Sequence, residues 1–122
     1  MSMESDDGYM ELALFEARKA ESADEVPIGA IVVVDDVVVA RGYNQPISAS
    51  DPTAHAEIVA LRDAARQAAN YRLSAATLYC TLEPCMMCAG AMIHARIQRL
   101  VFGALDPKAG SGGSIYNVLI TT

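Results

Sequence analysis

Two short motifs, His55-Ala56-Glu57 and Pro84-Cys85-Met86-Met87-Cys88, must converge in space if the residues they carry are to act together. Between them they offer three zinc-type ligands, His55, Cys85 and Cys88, and one carboxylate, Glu57, that no ligand role requires. A closed structural zinc site normally takes four protein ligands, whereas a catalytic one takes three and keeps a position open for water. In the interior of a helix, residues two apart point to nearly opposite sides, so His55 and Glu57 could not both face one metal there. At a helix start they can, because the first turn leaves backbone N–H groups free and its side chains converge ahead of the helix end. Cys85 and Cys88 are one helical turn apart and share a face. A helix N-terminus also lowers a thiol pKa and favours the thiolate that binds zinc.

With 122 residues the chain is expected to form one domain, 1–122, able to bury a core without disulfide staples. Three cysteines, an odd number with two in a Cys-x-x-Cys pair, do not make a secreted disulfide framework, so reduced, metal-ligating sulfur is the better reading. The longest apolar stretch, Ile28 to Val34, is far below the roughly 20 residues that cross a bilayer. The start of the chain is acidic where a signal peptide is basic and then apolar, so a cytoplasmic address with no membrane partner is expected. The net charge of -6 argues against a generic nucleic-acid binder, but its distribution softens the argument. Residues 1–69 hold 5 basic and 13 acidic side chains, net -8, and residues 70–122 hold 4 and 2, net +2. The acidity therefore sits away from the cysteine motif.

Along the chain, apolar residues at helical spacing from Asp7 to Ala23 predict a first amphipathic helix. Ala30–Val34 and Val37–Ala40 around Asp35-Asp36 predict a hairpin. Tyr43–Thr53 reads as a loop, and Asp51-Pro52-Thr53 as the start signal of a second helix running from Ala54 to Ala69, capped by Asp51 or Thr53. A third strand over Ala76–Leu82, a helix opening at the cysteines and a fourth strand over Ile97–Gly103 complete the pattern. Such alternation implies an α/β fold, a three-layer α/β/α sandwich around a mixed sheet. Gly110-Ser111-Gly112-Gly113-Ser114 reads as a loop too short to separate domains.

A zinc held by His55, Cys85 and Cys88 can lower the pKa of its bound water towards neutrality. Glu57 then has work that a ligand cannot do: taking the proton of that water, passing it to a ring nitrogen and protonating departing ammonia. A Cys-x-x-Cys pair alone is often redox or structural, but H-x-E upstream together with Pro84 makes the zinc-deaminase signature. Cys80, alternating with Tyr79 and Thr81 on a strand, reads as a buried apolar thiol rather than a fourth ligand. Glu83 reads as fixing its turn, and His94, about 240° around the helix from Cys88, as structural or interfacial. Met86, Met87, Met92 and Ile93 with small Ala89, Gly90 and Ala91 make a helix apolar on nearly all sides, suited either to core packing or to a subunit interface.

The flanks Glu25-Val26-Pro27-Ile28-Gly29-Ala30, Asp51-Pro52-Thr53-Ala54-His55-Ala56-Glu57-Ile58, Thr81-Leu82-Glu83-Pro84-Cys85 and Met87-Cys88-Ala89-Gly90-Ala91-Met92-Ile93 closely resemble bacterial tRNA-specific adenosine deaminases, within the cytidine/deoxycytidylate deaminase superfamily. The resemblance implies a cytidine-deaminase-like fold and a hydrolase acting on a cyclic amidine. That enzyme would convert adenosine to inosine at the tRNA wobble position, as a homodimer with one Zn2+ per subunit. It makes His55, Cys85 and Cys88 the metal ligands and Glu57 the proton shuttle. Asn44 becomes a base-contacting amide, Ile28 a pocket wall, the Ala56 N–H a second donor to the base, and Asp106 part of a loop near the RNA backbone. Dimerisation is expected through the Cys85–Arg96 helix region, and the tRNA anticodon loop as partner. The family continues past Asn117-Val118-Leu119 with a further strand and a long C-terminal helix. This chain stops at Thr122, so four strands are expected where the family has five, with a sheet edge and a helix seat uncovered. The alternatives are a deaminase of guanine or cytidine as free base or nucleoside, and a truncated zinc-binding subunit with little activity.

Overall fold

Asp35 and Asp36 both take positive φ, 51° and 62°. That is the two-residue turn whose twist matches a hairpin, and Val34 pairs Val37 directly across it. The computed structural model describes residues 6–106, 108 and 110. Their elements run α1 (Asp6–Ser22), β1 (Gly29–Val34), β2 (Val37–Tyr43), α2 (Ala56–Ala68), β3 (Ala76–Cys80), α3 (Met86–Ala95) and β4 (Arg99–Phe102). The sheet order is β2-β1-β3-β4. β1 runs antiparallel to both its neighbours, and β3 pairs with β4 in parallel through the crossover helix α3. The sheet is therefore mixed, and β2 and β4 are its edges among the described residues. The segment 111–122, with most of the glycine-rich loop, lies outside the described residues, as does the Pro107 that follows Asp106.

Alternation along β1 assigns the two faces. Ile31 and Val33 join Tyr79 under α1, which contributes Tyr9 and Ala13. Ala30 and Val32 join Leu78 and Cys80 in the larger core, roofed by Ile58, Leu61 and Ala64 of α2 and Cys88 and Met92 of α3. This is the expected three-layer sandwich. The α1 residues that are buried, Tyr9, Ala13, Glu16, Ala17 and Ala20, follow a helical stripe, while Leu14 and Phe15 are exposed. Three polar side chains staple α1 to the sheet: Tyr79 donates to Asp6 Oδ1 at 2.6 Å, Arg99 forms an ion pair with Asp6, and Tyr9 donates to the Asp36 carbonyl at 3.1 Å.

Several boundaries differ from the sequence reading: β3 ends at Cys80 rather than Leu82, β4 spans Arg99–Phe102 rather than Ile97–Gly103, and two further differences bear on the site. Asp51 Oδ1 accepts from Thr53 N and Thr53 Oγ1 at 2.8 and 2.7 Å, an Asx-turn that uses up the capping side chain. The helix consequently starts at Ala56, with His55 rather than Asp51 or Thr53 in the cap position. β2 extends through Gly42 to Tyr43, because at Gly42 the α2 backbone lies where a Cβ would stand. Both α2 and α3 end in left-handed residues that are not glycine, Ala69 (φ 53°) and Arg96 (φ 61°). The following amides, Asn70 N and Ile97 N, close back onto Ala65 O and Met92 O in the Schellman pattern.

Candidate metal centre and base pocket

The cap residues of α2 and α3 are themselves ligand candidates. His55 (φ -69°, ψ 153°) and Cys85 (φ -76°, ψ 175°) stand in extended conformation, and neither side chain bonds its own helix start. Each carbonyl accepts the first helical bond, from Val59 N and Ala89 N, so the side chains are released to face each other across the gap between the two helix ends. Cys88, one turn into α3, completes the group and is fully buried.

The spacing tests whether zinc fits. Tetrahedral zinc with Zn–S of about 2.3 Å and Zn–N of about 2.0 Å requires sulfur–sulfur separations of about 3.8 Å and sulfur–nitrogen separations of about 3.5–3.6 Å. Cys85 Sγ and Cys88 Sγ are 3.8 Å apart, and His55 Nδ1 lies 3.6 Å from Cys85 Sγ and 3.5 Å from Cys88 Sγ. The three atoms thus form one triangular face of a zinc tetrahedron, and the residues fit the metal. The Cys88 sulfur beside it, with the Cys88 and Met87 amides and His55 assisting against burial, draws the Cys85 thiol down to about 5. The Cys88 thiol is pushed up by Cys85 and by burial, so the pair readily gives up one proton and holds the other.

Glu57, in the first turn of α2, is 4% exposed. Burial pushes its carboxyl up, against its own backbone amide, and the Cys85 charge adds to the rise; a dication at the site would draw it back down. Cys80 lies in the same core with no exposure, its thiol pushed well up by burial and by Glu57. It behaves as the expected apolar thiol, outside the three-ligand group.

Asn44 is buried at the start of the loop between β2 and α2. Its backbone N–H donates to Ile28 O at 3.0 Å, which sets the pocket-wall candidate beside the amide candidate. Its Oδ1 accepts from Ala56 N at 3.2 Å. This corrects one expectation: the Ala56 N–H is already donated to Asn44 and does not face a base as an open donor. The same bond commits Oδ1 and leaves Nδ2 with no partner among the described residues. Asp106 sits on the loop after β4, half-buried. Its amide donates to Glu83 Oε1 at 2.9 Å and its Oδ1 accepts from Lys108 N at 3.0 Å. Glu83, 2% exposed, ties its turn to the loop after β4, its amide donating to Ala104 O at 2.8 Å and its carboxylate accepting from the Asp106 amide. The structure therefore brings His55, Glu57, Cys85 and Cys88 together, ties Asn44, Ile28 and Ala56 to them through the backbone, and keeps Asp106 on a separate loop anchored beside Pro84.

On α3, Cys88, Ala89, Met92 and Ala95 are buried, while Met86, Met87 and Ile93 are exposed by 49%, 37% and 45%. The all-round apolar helix thus divides into a core face and a bare apolar face. His94 is exposed. Sequence reasoning missed Glu25, 6% exposed, which accepts from Ile47 N, Ser48 N and Ser48 Oγ at 3.3, 2.7 and 2.8 Å. No spacing rule announces a carboxylate that bonds the backbone of a distant loop.

Residues 3–104 match the model of the cytidine and deoxycytidylate deaminase zinc-binding region. The tRNA-specific adenosine deaminase of Haemophilus influenzae is 55% identical over 116 residues, covering 93% of this chain and 66% of that protein. The chain thus spans about two thirds of that relative's length. A solved structure from studies of A-to-I editing by tRNA:A34 deaminases at the wobble position superposes with a TM-score of 0.87 at 53% identity, over 88% of this chain and 83% of that one. A guanine deaminase from Bacillus subtilis superposes at 0.83 with 33% identity, over 90% and 71%. Among the described residues, no helix is long and apolar enough to cross a membrane.

Proposed function

The chain belongs to the cytidine and deoxycytidylate deaminase zinc-binding family, on its tRNA-specific adenosine deaminase branch, and from that premise we propose that it hydrolyses adenosine to inosine at the wobble position of a tRNA anticodon. The observation that carries the reading is the triangle of His55 Nδ1, Cys85 Sγ and Cys88 Sγ with the buried carboxylate of Glu57 beside it.

His55, Cys85 and Cys88 would hold one Zn2+ per subunit, and Zn2+ when bound supplies the Lewis acidity that lets water lose a proton near neutral pH. Glu57 takes that proton and delivers it to N1 of the adenine, so that the water oxygen can bond to C6. Glu57 then takes the remaining proton from the new C6 hydroxyl and gives it to the amino nitrogen, so that C6=O forms as the C6–N bond breaks and ammonia leaves. Burial raises the Glu57 carboxyl and a dication at the site would lower it, and these opposed effects suit a group that must both accept and release a proton. Asn44, with Oδ1 held by Ala56 N, turns its Nδ2 hydrogens to an acceptor on the purine edge. Ile28 would form an apolar wall beside a base extruded from its stack. Asp106 approaches the RNA backbone from the loop that Glu83 anchors.

The bare apolar face of α3, with Met86, Met87 and Ile93, supports a homodimer through the Cys85–Arg96 region, and sedimentation velocity of the metal-loaded protein tests it. Thiolate ligands suit a reducing compartment, and the cytoplasm is the proposed site of action.

The deciding experiment incubates purified wild-type protein and Glu57→Gln with tRNA, adenosine, guanine and cytidine and scores inosine and ammonia. Inosine in tRNA alone, lost in the variant, supports the reading. Product from a free base or nucleoside with none from tRNA overturns it in favour of the small-substrate alternative. No product from any substrate with one zinc retained per chain overturns it in favour of an inactive subunit.

A further inference from the structure

The loop from Asn44 to Ala54 joins the base-contacting amide to the first metal ligand, and it is tied at both ends. Asn44 N donates to Ile28 O, and Gln45 N donates to Ala54 O, both at 3.0 Å. Its middle is gripped from outside by one side chain. Glu25 stands just past the end of α1, its own amide donating to Ala20 O at 2.9 Å, and its carboxylate accepts all three of its hydrogen bonds from Ile47 and Ser48. Glu25 is also three residues before Ile28, so the bonds Glu25–Ser48 and Asn44–Ile28 join the same two segments at two points.

We propose that Glu25 is a positioning residue for the deamination reaction: by clamping Ile47 and Ser48 it fixes where Asn44 and Ile28 stand relative to the metal ligands, without itself touching substrate. The inference rests on the proposed function for the reaction it serves, and on geometry alone for the clamp. Two oxygens that receive three donors suit a carboxylate, which only accepts. An amide in its place turns an N–H against the Ile47 N–H and loses at least one bond. Burial works against the charge, but the Ser48 amide and hydroxyl and the Ile47 amide outweigh it and hold the Glu25 carboxyl below its ordinary range, so it is ionised at neutral pH. A displacement of a fraction of an ångström at Asn44 is enough to matter, because reactive geometry tolerates roughly 0.5 Å.

The test compares Glu25→Gln and Ser48→Ala with Glu16→Gln, a control that removes another buried carboxylate of the α1 segment, paired with Lys19 and Arg41. Zinc content, steady-state kinetics on whichever substrate the wild-type protein turns over, and amide hydrogen exchange are measured on each. The expected result for Glu25→Gln is full zinc content and a kcat/KM about tenfold lower, carried mainly by KM. Exchange is expected to rise at Ile47, Ser48 and Ala56 but not in the α2 interior. Ser48→Ala, which keeps the two amide bonds, is expected to give a smaller change of the same kind, and Glu16→Gln none in KM. A lower melting temperature with unchanged kcat and KM overturns the proposal and leaves Glu25 a stabilising residue only. Unchanged exchange at Ala56 overturns it even if the wild-type protein deaminates none of the four substrates, an outcome that would separately overturn the proposed function.

Discussion

On one side of the sheet β1 turns Gly29 towards α1, and on the other β2 turns Gly42 towards α2; at both, the helix backbone occupies the space of a missing Cβ. A Cβ on Gly29 would overlap Ala13 O and Ala17 N, and one on Gly42 would overlap Ala56 O and Ala60 N. The packing is alike, yet the helices differ in what they carry. α1 ends its polar contacts in a staple of Asp6, Tyr79 and Arg99, remote from the ligands in the fold. α2 begins with His55 and Glu57, and Ala56, whose carbonyl meets Gly42, donates its amide to Asn44. The same close approach therefore seats α1 on its face of the sheet, and on the α2 face also sets the height of the candidate metal ligands above the sheet.

The comparison can be broken most forcefully at the metal. Cys88→Ser, on the α2/α3 face, is expected to remove stoichiometric zinc and with it all measurable turnover, at least about a thousandfold. Metal analysis and a turnover assay check this, and retention of zinc by the variant would discount the three-ligand assignment. Next come the two glycines. Gly29→Ala and Gly42→Ala are each expected to destabilise by about 1–3 kcal/mol or more by overpacking, read from chemical denaturation. Only Gly42→Ala should also lower the zinc affinity of the folded fraction. Equal zinc affinity in the two variants would erase the distinction between the faces.

The smallest expected effect lies at the staple. Hydrogen bonding to Arg99, with Tyr79 assisting, lowers the Asp6 carboxyl from 3.8 to about 2. A folded-state value below the unfolded one means that the contribution is present above about pH 4 and is lost as pH falls towards 2. Because the pair is half-exposed, solvent screening limits it to about 0.5 kcal/mol. Asp6→Asn should lower stability slightly at pH 7, converge with wild type near pH 2, and leave kcat and KM alone at every pH. Burial, with Asp6 next in importance, pushes the Tyr79 phenol up to about 12, so its contribution is intact below pH 10 and fades as pH rises through 12.

The two faces also differ in how far they could be read from sequence. Hydrophobic periodicity found α1 to within a residue of each end and found the hairpin turn, because burial against one flat face imposes a strict period. The ligand set was legible for a different reason. Coordination chemistry restricts both residue type and spacing, and a carboxylate two positions from a ligand is intelligible only at a helix start. What escaped was the scaffolding between. Asp51-Pro52-Thr53 has the composition of a helix cap and folds as an Asx-turn, since the same oxygen satisfies either arrangement and tertiary context decides. β2 runs three residues past Ala40, and the cause, an α2 backbone packed against Gly42, is a tertiary contact that local pattern does not carry. Glu25 stands in a flank that carries the resemblance, but its bonding role left no signal, its partners lying 22 and 23 residues further along the chain.

The left-handed residues that finish α2 and α3 bear on how much change this chain can absorb. Ala69 and Arg96 occupy a backbone conformation that glycine adopts without penalty, and each holds it at a cost of about 1 kcal/mol. Both lie at the far ends of the helices whose first turns carry the candidate metal centre. Glycine at those two positions would raise the margin against unfolding without approaching the site, and a lineage or an engineer could then exchange that margin for base-pocket substitutions that the present chain would not survive.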